Sequence, residues 1–170
     1  SSFTVDTTIP SINAIGTNAF SWGQYLNATE DNSIGTVTVS TVGVEDGQTL
    51  TITLNGQTYT NTVNNNQTTV TITAAGLQGL TNGNQYTMTA DVSDAAGNPA
   101  PQVTSSSFRV DTTSPSINAI GTSAFSWGAV LNSIEDNQNG TVAVNTSGVE
   151  DGQILTITLN GQTYTNTVNN

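Results

Sequence analysis

The residues able to do chemistry in this chain are almost all carboxylates. Twelve acidic side chains face a single basic one, Arg109, among 170 residues, for a net charge of −11, and there is no Cys, His or Lys. The absent types exclude thiolate and imidazole metal sites, disulfides and the commonest general base at neutral pH. Serine and threonine are plentiful, but nothing here could activate them as nucleophiles. The acids fall as four adjacent pairs, Glu30–Asp31, Glu45–Asp46, Glu135–Asp136 and Glu150–Asp151, with Asp6, Asp91, Asp94 and Asp111 standing alone. Glycoside hydrolysis needs two carboxylates facing each other across the scissile bond. Neighbours in a turn do not provide that, so the chain reads as no enzyme and implies no small-molecule substrate. A hard cation held by oxygen fits better, since calcium takes six to eight oxygen ligands at about 2.3–2.6 Å. The plainer alternative is that Asp and Glu beside Gly are ordinary, solubilising turn residues. Neither an EF-hand loop nor a calcium-binding nonapeptide repeat is present, and the excess of negative charge argues against nucleic acid and anionic membrane surfaces.

The elements that must position these acids announce themselves by period-2 alternation. Val37 and Val39 share a face; Leu50, Ile52 and Leu54 face one way while Thr49, Thr51 and Thr53 face the other. Tyr59 and Val63, Val70 and Ile72, Tyr86 to Val92, and Phe108 with Val110 continue the series. One-sided alternation rich in β-branched residues predicts sheets with one wet face. Asn55-Gly56 between two such runs reads as a tight hairpin turn, and Ala74–Leu80 is the one stretch suited to a helical turn. About seven short strands in roughly 100 residues point to an all-β, immunoglobulin-like Greek-key sandwich. Tyr86 stands where a tyrosine corner would sit, or is simply a half-buried aromatic at a strand start. Trp22 and Trp127 read as core or strand-edge packing before sugar stacking.

The sequence also repeats. Residues 1–65 and 106–170 align with 13 of 65 pairs differing, a shift of 105 positions. A period of that size is a whole module rather than a solenoid turn. The expected organisation is residues 1–4 as the end of a preceding repeat, 5–109 as a complete module, and 110–170 as a second module stopping before its last strands. An incomplete sandwich exposes strand edges. It is completed either by a continuing parent chain or by strand addition from another chain.

Linked motifs carry a closer resemblance: VEDGQTLTITLNGQTYTNTV, then ITAAGLQGLTNGNQYTMTADVSDAAGNPA, then SSFRVDTTSP. Together they resemble the bacterial Ig-like repeats of giant secreted adhesins, through the whole first module and the present part of the second. The resemblance implies an extracellular extender at the bacterial cell surface, exported by a type I system, holding a terminal binding domain away from the cell and rigidified by Ca²⁺ at the junctions. Its partners would be neighbouring modules of the same chain.

Sandwich topology then groups the acids. The B–C loop (Glu45, Asp46), the F–G loop (Asp94, Asn98) and the incoming linker (Asp6) should converge at one pole. At the other pole Glu30 and Asp31 should approach Asp111, and across the internal junction Glu150 and Asp151. These ten residues are the candidate calcium ligands. Three rival readings stand beside the spacer: a filament or sheath subunit assembled by strand complementation, a carbohydrate binder using Trp22 and Tyr25, and an ice binder using the outward Thr49/Thr51/Thr53 and Thr69/Thr71/Thr73 rows. A repeated sugar site would keep its aromatic, yet Tyr25 becomes Val130 in the second copy. The Asn27, Asn66 and Asn145 glycosylation triplets read as chance products of an Asn/Thr-rich composition.

Overall fold

A computed structural model describes residues 2–169. The chain divides into two compact units, Ser1–Thr113 and Ser114–Asn170. Among the described residues the first contains ten strands: β1 (Ser11–Ile12), β2 (Tyr25–Asn27), β3 (Gly35–Val42), β4 (Thr49–Leu54), β5 (Gln57–Thr62), β6 (Gln67–Ile72), β7 (Gln85–Tyr86), β8 (Met88–Asp91), β9 (Val103–Thr104) and β10 (Phe108–Asp111). One sheet has the order β1-β3-β6; its opposite carries β5-β4-β8-β9 and β2-β10-β7. Only Thr87 separates β7 from β8, so the last two ladders belong to one face. Ser105 joins them on the returning side: its backbone N–H donates to the Met88 carbonyl (2.8 Å) and its Oγ accepts from the Met88 N–H (2.9 Å). All pairings are antiparallel except β2 with β10, which run parallel with Val110 opposite Leu26 and Asp111 opposite Asn27.

This is the immunoglobulin-like sandwich that the alternation predicts. In β3, β4, β6 and β8 every second residue is buried, because successive side chains of a strand point to opposite faces. The buried members, among them Val37, Val39, Leu50, Ile52, Leu54, Val70, Ile72, Met88 and Ala90, form one core between the sheets. Asn55 (φ 48°) and Gly56 (φ 77°) both take the left-handed conformation that a two-residue hairpin turn requires. A second turn not foreseen from sequence uses Asn65 (φ 50°) and Asn66 (φ 58°), where the chain leaves β5 for β6 in the opposite sheet. The expected helical turn is α1 (Ala74–Gln78), capped by Thr73, whose side chain accepts from the Gly76 N–H.

Four aromatic rings close the core at one end. Phe108 meets Trp22 at 5.3 Å and Phe20 at 5.7 Å edge-on, and Tyr86 at 6.2 Å. Phe20 stacks on Trp22 at 5.4 Å. Trp22 is therefore core, and its buried ring offers no face for a sugar. The Tyr86 hydroxyl accepts from the Thr81 backbone N–H at 2.9 Å, which resolves the two readings of this residue as a tyrosine corner that pins the turn before β7.

The repeat boundary drawn at 109/110 by alignment falls inside β10. Val110 is buried there, donating its N–H to the Asn84 carbonyl and accepting from the Gly83 N–H. The same sequence at the start of the chain behaves oppositely: Phe3 is 87% exposed, whereas its copy Phe108 is 1% exposed.

The second unit pairs β11 (Ser116–Ile117) with β12 (Thr146–Ser147), and β13 (Ile154–Leu159) with β14 (Gln162–Thr167). The β13–β14 hairpin repeats the β4–β5 register residue for residue. Phe125 stacks on Trp127 at 5.2 Å, as Phe20 does on Trp22.

Candidate functional site: acidic poles of the first unit

At the incoming pole, the loop following β8 turns on Asp94. Its backbone N–H bonds the Asn98 carbonyl, and Gly97 N–H returns to the Asp94 carbonyl. The Asp94 carboxylate, only 3% exposed as a residue, accepts from the Asn98 backbone N–H (Oδ1, 2.7 Å) and from the Asn98 amide (Oδ2, 2.8 Å). Two further bonds tie this loop to distant segments. The Ala95 N–H donates to the Glu45 carboxylate at 2.8 Å, and the Asn98 amide reaches the Asp6 carbonyl at 3.2 Å. Asp6, Glu45, Asp94 and Asn98 are thus gathered at one place, from positions up to 92 residues apart.

Asp46 takes a different course. Its Oδ1 accepts from the Asn65 N–H at 2.7 Å, holding the B–C loop to the turn before β6. The Asp6 carboxylate likewise bends back, accepting from the Thr8 N–H at 2.9 Å, an Asx-turn of the kind the residue favours.

At the outgoing pole the parallel β2–β10 pairing puts Asp111 opposite Asn27. Asn27 organises the turn beyond it: its Oδ1 accepts from the Thr29 and Glu30 N–H groups, and its own N–H donates to Glu30 Oε2 at 3.0 Å. The Asp31 N–H bonds the Asn27 carbonyl, and Asp31 Oδ1 is buried with no hydrogen-bond partner. Glu30, Asp31 and Asp111 therefore all bracket Asn27. Asn132 repeats the same turn with Glu135 in the second unit. Glu150 and Asp151 lie in an exposed turn of that unit, closed by Gly152 N–H to the Val168 carbonyl.

Asn82 was not among the residues singled out by sequence. Its Oδ1 accepts from the Thr112 N–H and its amide donates to Thr113 Oγ1, each at 2.8 Å. With the Asp111 carboxylate accepting from the Thr113 N–H at 3.2 Å, it fastens the outgoing linker to the body of the unit. The Asn-Gly pair at 82–83 is a local turn signal, but nothing local links it to residues thirty positions later.

The electrostatics follow the hydrogen bonds. The Asn98 side-chain amide holds the Asp94 carboxyl below the ordinary carboxylate range; burial opposes this, and the Asn98, Ala96 and Gly97 backbone groups assist. A carboxyl whose folded pKa is depressed contributes stability that is complete above its unfolded pKa, about 3.9, and is lost as pH falls through the lower folded value. The Asp94→Asn variant should therefore narrow its stability deficit relative to the parent as pH drops below about 4. Urea unfolding at pH 7, 5 and 3 checks this, and a deficit independent of pH would refute it.

Among the described residues no three acidic groups stand close enough to hold a metal ion between them. Each pole instead offers separate carboxylates on hydrogen-bonded loops that also carry carbonyl and amide oxygens. The ligand chemistry fits a hard cation, and among the described residues Asp31 Oδ1 is a buried acceptor at the outgoing pole that the protein itself leaves unsatisfied.

No protein-family model and none of the curated proteins matches the chain. Solved structures do. A structure of a Ca²⁺-stabilized adhesin that helps an Antarctic bacterium reach out and bind ice is 29% identical over 96% of this chain and 39% of its own, with a TM-score of 0.49. A structure concerned with cell-surface retention of a 1.5-MDa bacterial ice-binding adhesin is 28% identical over 94% of this chain and 49% of its own, with a TM-score of 0.47. An immunoglobulin-like domain from the M. primoryensis ice-binding adhesin is 29% identical over 61% of this chain and 95% of its own, with a TM-score of 0.41. The chain spans less than half the length of the first two. Its own strand order is that of an immunoglobulin-like sandwich, and its sequence is similar to the bacterial Ig-like domains of an ice-binding adhesin.

Proposed function

We propose that this chain is a non-catalytic extender segment of a large secreted bacterial surface adhesin, in which near-identical modules set distance and Ca²⁺ stiffens the junctions. The observation that carries this reading is the repetition of one sequence at a shift of 105 residues, with both linker ends of the first sandwich fastened to its body. Asn98 holds the incoming segment, and Asn82 with Asp111 holds the outgoing one. A module whose ends are tied transmits its orientation to the next; a module with loose ends only adds contour length. The two copies differ at few positions and carry no nucleophile–base pair, which suits a spacer better than a catalyst.

The net charge of −11 gives calcium its role. Clustered carboxylates repel one another, and Arg109 alone cannot neutralise them. An ion engaging Glu30, Asp31 and Asp111, with Glu150 and Asp151 contributed by the following module, would turn that repulsion into a cross-link. Asp6, Glu45, Asp46, Asp94 and Asn98 would receive the corresponding ion from the preceding module. Binding to the folded state alone stabilises by about 1.4 kcal/mol per site at ten times Kd. We therefore expect Ca²⁺ to raise Tm by several degrees and to narrow the distribution of dimensions seen by X-ray scattering, with EGTA reversing both. Asp31→Asn and Asp111→Ala should each weaken the response. Superimposable melting and scattering curves with Ca²⁺ and with EGTA would overturn the calcium assignment while leaving the sandwich untouched.

A further inference from the structure

Apart from the two-residue β1, the first and last strands of the first unit are β2 and β10. They lie side by side and run in the same direction, with Arg109 opposite Tyr25, Val110 opposite Leu26 and Asp111 opposite Asn27. This direction decides how the unit meets a pull on its two ends. Tension on the incoming segment draws β2 toward its own N-terminus, and tension on the outgoing linker draws β10 toward its C-terminus. In parallel strands the two pulls oppose each other along one axis, so the ladder is sheared and its bonds are strained together. Antiparallel strands would be pulled from one shared end and would open bond by bond.

Three further features resist the shear. Ahead of the ladder, the Arg109 N–H donates to the Gln24 carbonyl at 2.9 Å and the Ser106 N–H to the Ile15 carbonyl at 2.8 Å. On its far side β10 is anchored, since the Val110 N–H donates to the Asn84 carbonyl and the Val110 carbonyl accepts from Gly83. Side-chain parity adds the third. Leu26 is 0% exposed and Tyr25 56%, so a slip of one residue would turn the leucine to solvent and drive the tyrosine inward. β1 stands earlier in the path of the load, but it holds β3 over two residue pairs only.

We infer that the β2–β10 ladder is a shear clamp that keeps the first unit folded under end-to-end tension. The Asn82 clasp has a separate task. It grips Thr112 and Thr113, after β10 has ended, so it directs the linker and can open while the ladder stays intact. The purpose of the clamp rests on the extender reading, but its geometry does not. A unit that yields as readily in shear as in peeling would remove the clamp and leave the expected calcium response untouched.

The chain lacks cysteine, so handles for single-molecule pulling can be placed on the full chain at chosen pairs of positions. Thr4→Cys with Ser114→Cys loads the first unit through its ends. Thr29→Cys with Ser114→Cys pulls β2 and β10 apart from their shared C-terminal end. All three positions are exposed. At one loading rate the first geometry should need at least about twofold more force, because forced unfolding follows the barrier along the loaded path and three residue pairs share that load. Leu26→Ala should lower the end-to-end force more than Leu54→Ala, which removes the same side chain from the same core outside the ladder. Urea unfolding of both variants puts their forces on a common scale of stability. Asn82→Ala should leave the end-to-end force unchanged. Equal forces in the two geometries would overturn the inference, as would equal force losses per unit of lost stability in the two leucine variants. A drop with Asn82→Ala as large as with Leu26→Ala would place the load on the clasp instead and overturn it too.

Discussion

Replacing Phe108 by Ala is expected to lower the stability of the first unit by about 3–5 kcal/mol, the range found when a buried aromatic is truncated. Phe108 is 1% exposed and touches three other rings, Phe20 and Trp22 from the segment before β2 and Tyr86 from β7. Neither segment can collapse into the vacated space alone, because each is held by its own ladder or turn. The cavity term should therefore persist, on top of the lost burial. A domain of ordinary stability has only about 5–15 kcal/mol in total, so the variant should sit close to its unfolding threshold. Urea unfolding followed by Trp22 fluorescence, in a Trp127→Phe background, measures the change. The copied residue supplies the control: Phe3→Ala, at an exposed position, should stay within about 0.5 kcal/mol of the parent. A loss below about 1 kcal/mol at Phe108 would contradict the packing described here.

The second large effect concerns space rather than contact. Gly35 is buried at the start of β3, and a Cβ built there would lie 2.8 Å from Trp22 Cε3 and 3.0 Å from Leu77 Cδ1. The indole cannot withdraw, since Phe20 stacks on it and Phe108 meets its edge. Gly35→Ala should accordingly cost about 1–3 kcal/mol by overpacking, although alanine suits a strand no worse than glycine does. The paired substitution Gly140→Ala makes the same approach to Trp127, with Cε3 again at 2.8 Å. Trp127 is only half-buried and no counterpart of Phe108 meets its edge among the described residues, so the ring has room to move. Its cost should fall within about 0.5 kcal/mol. Equal penalties at the two glycines, measured by urea unfolding of each variant, would show that exposure of the ring does not relieve the contact.

The calcium reading draws its support from a different level of structure. Two of the acidic side chains in the linkers, Asp6 and Asp111, form Asx-turns with Thr8 and Thr113, an ordinary turn role. A turn-forming carboxylate still presents oxygen to a cation, so the two readings are compatible at these positions. Asp46 is less suited, because its oxygen is spent on the Asn65 N–H within the unit. Asp31 is the most informative residue, since a buried acceptor without a partner carries a cost that a bound cation would remove.

Much of this protein is written locally. Alternation in Gly35–Val42, Thr49–Leu54 and Met88–Asp91 identified strands and their inward faces, because side-chain direction in a strand depends only on parity along the chain. Asn55-Gly56 identified a hairpin, because few residue pairs accept two successive left-handed conformations. Composition removed whole classes of chemistry by leaving out the side chains they need. The gathering of Asp6, Glu45, Asp94 and Asn98 was legible once a sandwich was assumed, since loop order at each pole follows from strand order.

The tertiary structure decided what each strand meets. The parallel pairing of β2 with β10, the sheet change at Asn65–Asn66 and the Asn82 clasp all join residues whose local sequence carries no mark of the partner. Asp46 turned toward Asn65 rather than Asp94 because a carboxylate satisfies the nearest unpaired donor, and which donor is nearest is a property of the folded chain. The repeat makes the division plain. Phe3 and Phe108, Leu131 and Leu26, Leu159 and Leu54 are the same residues in nearly the same sequence, yet one of each pair is buried and the other exposed. Sequence fixes which surface is apolar; burial depends on whether another strand arrives to cover it, and that is a non-local fact.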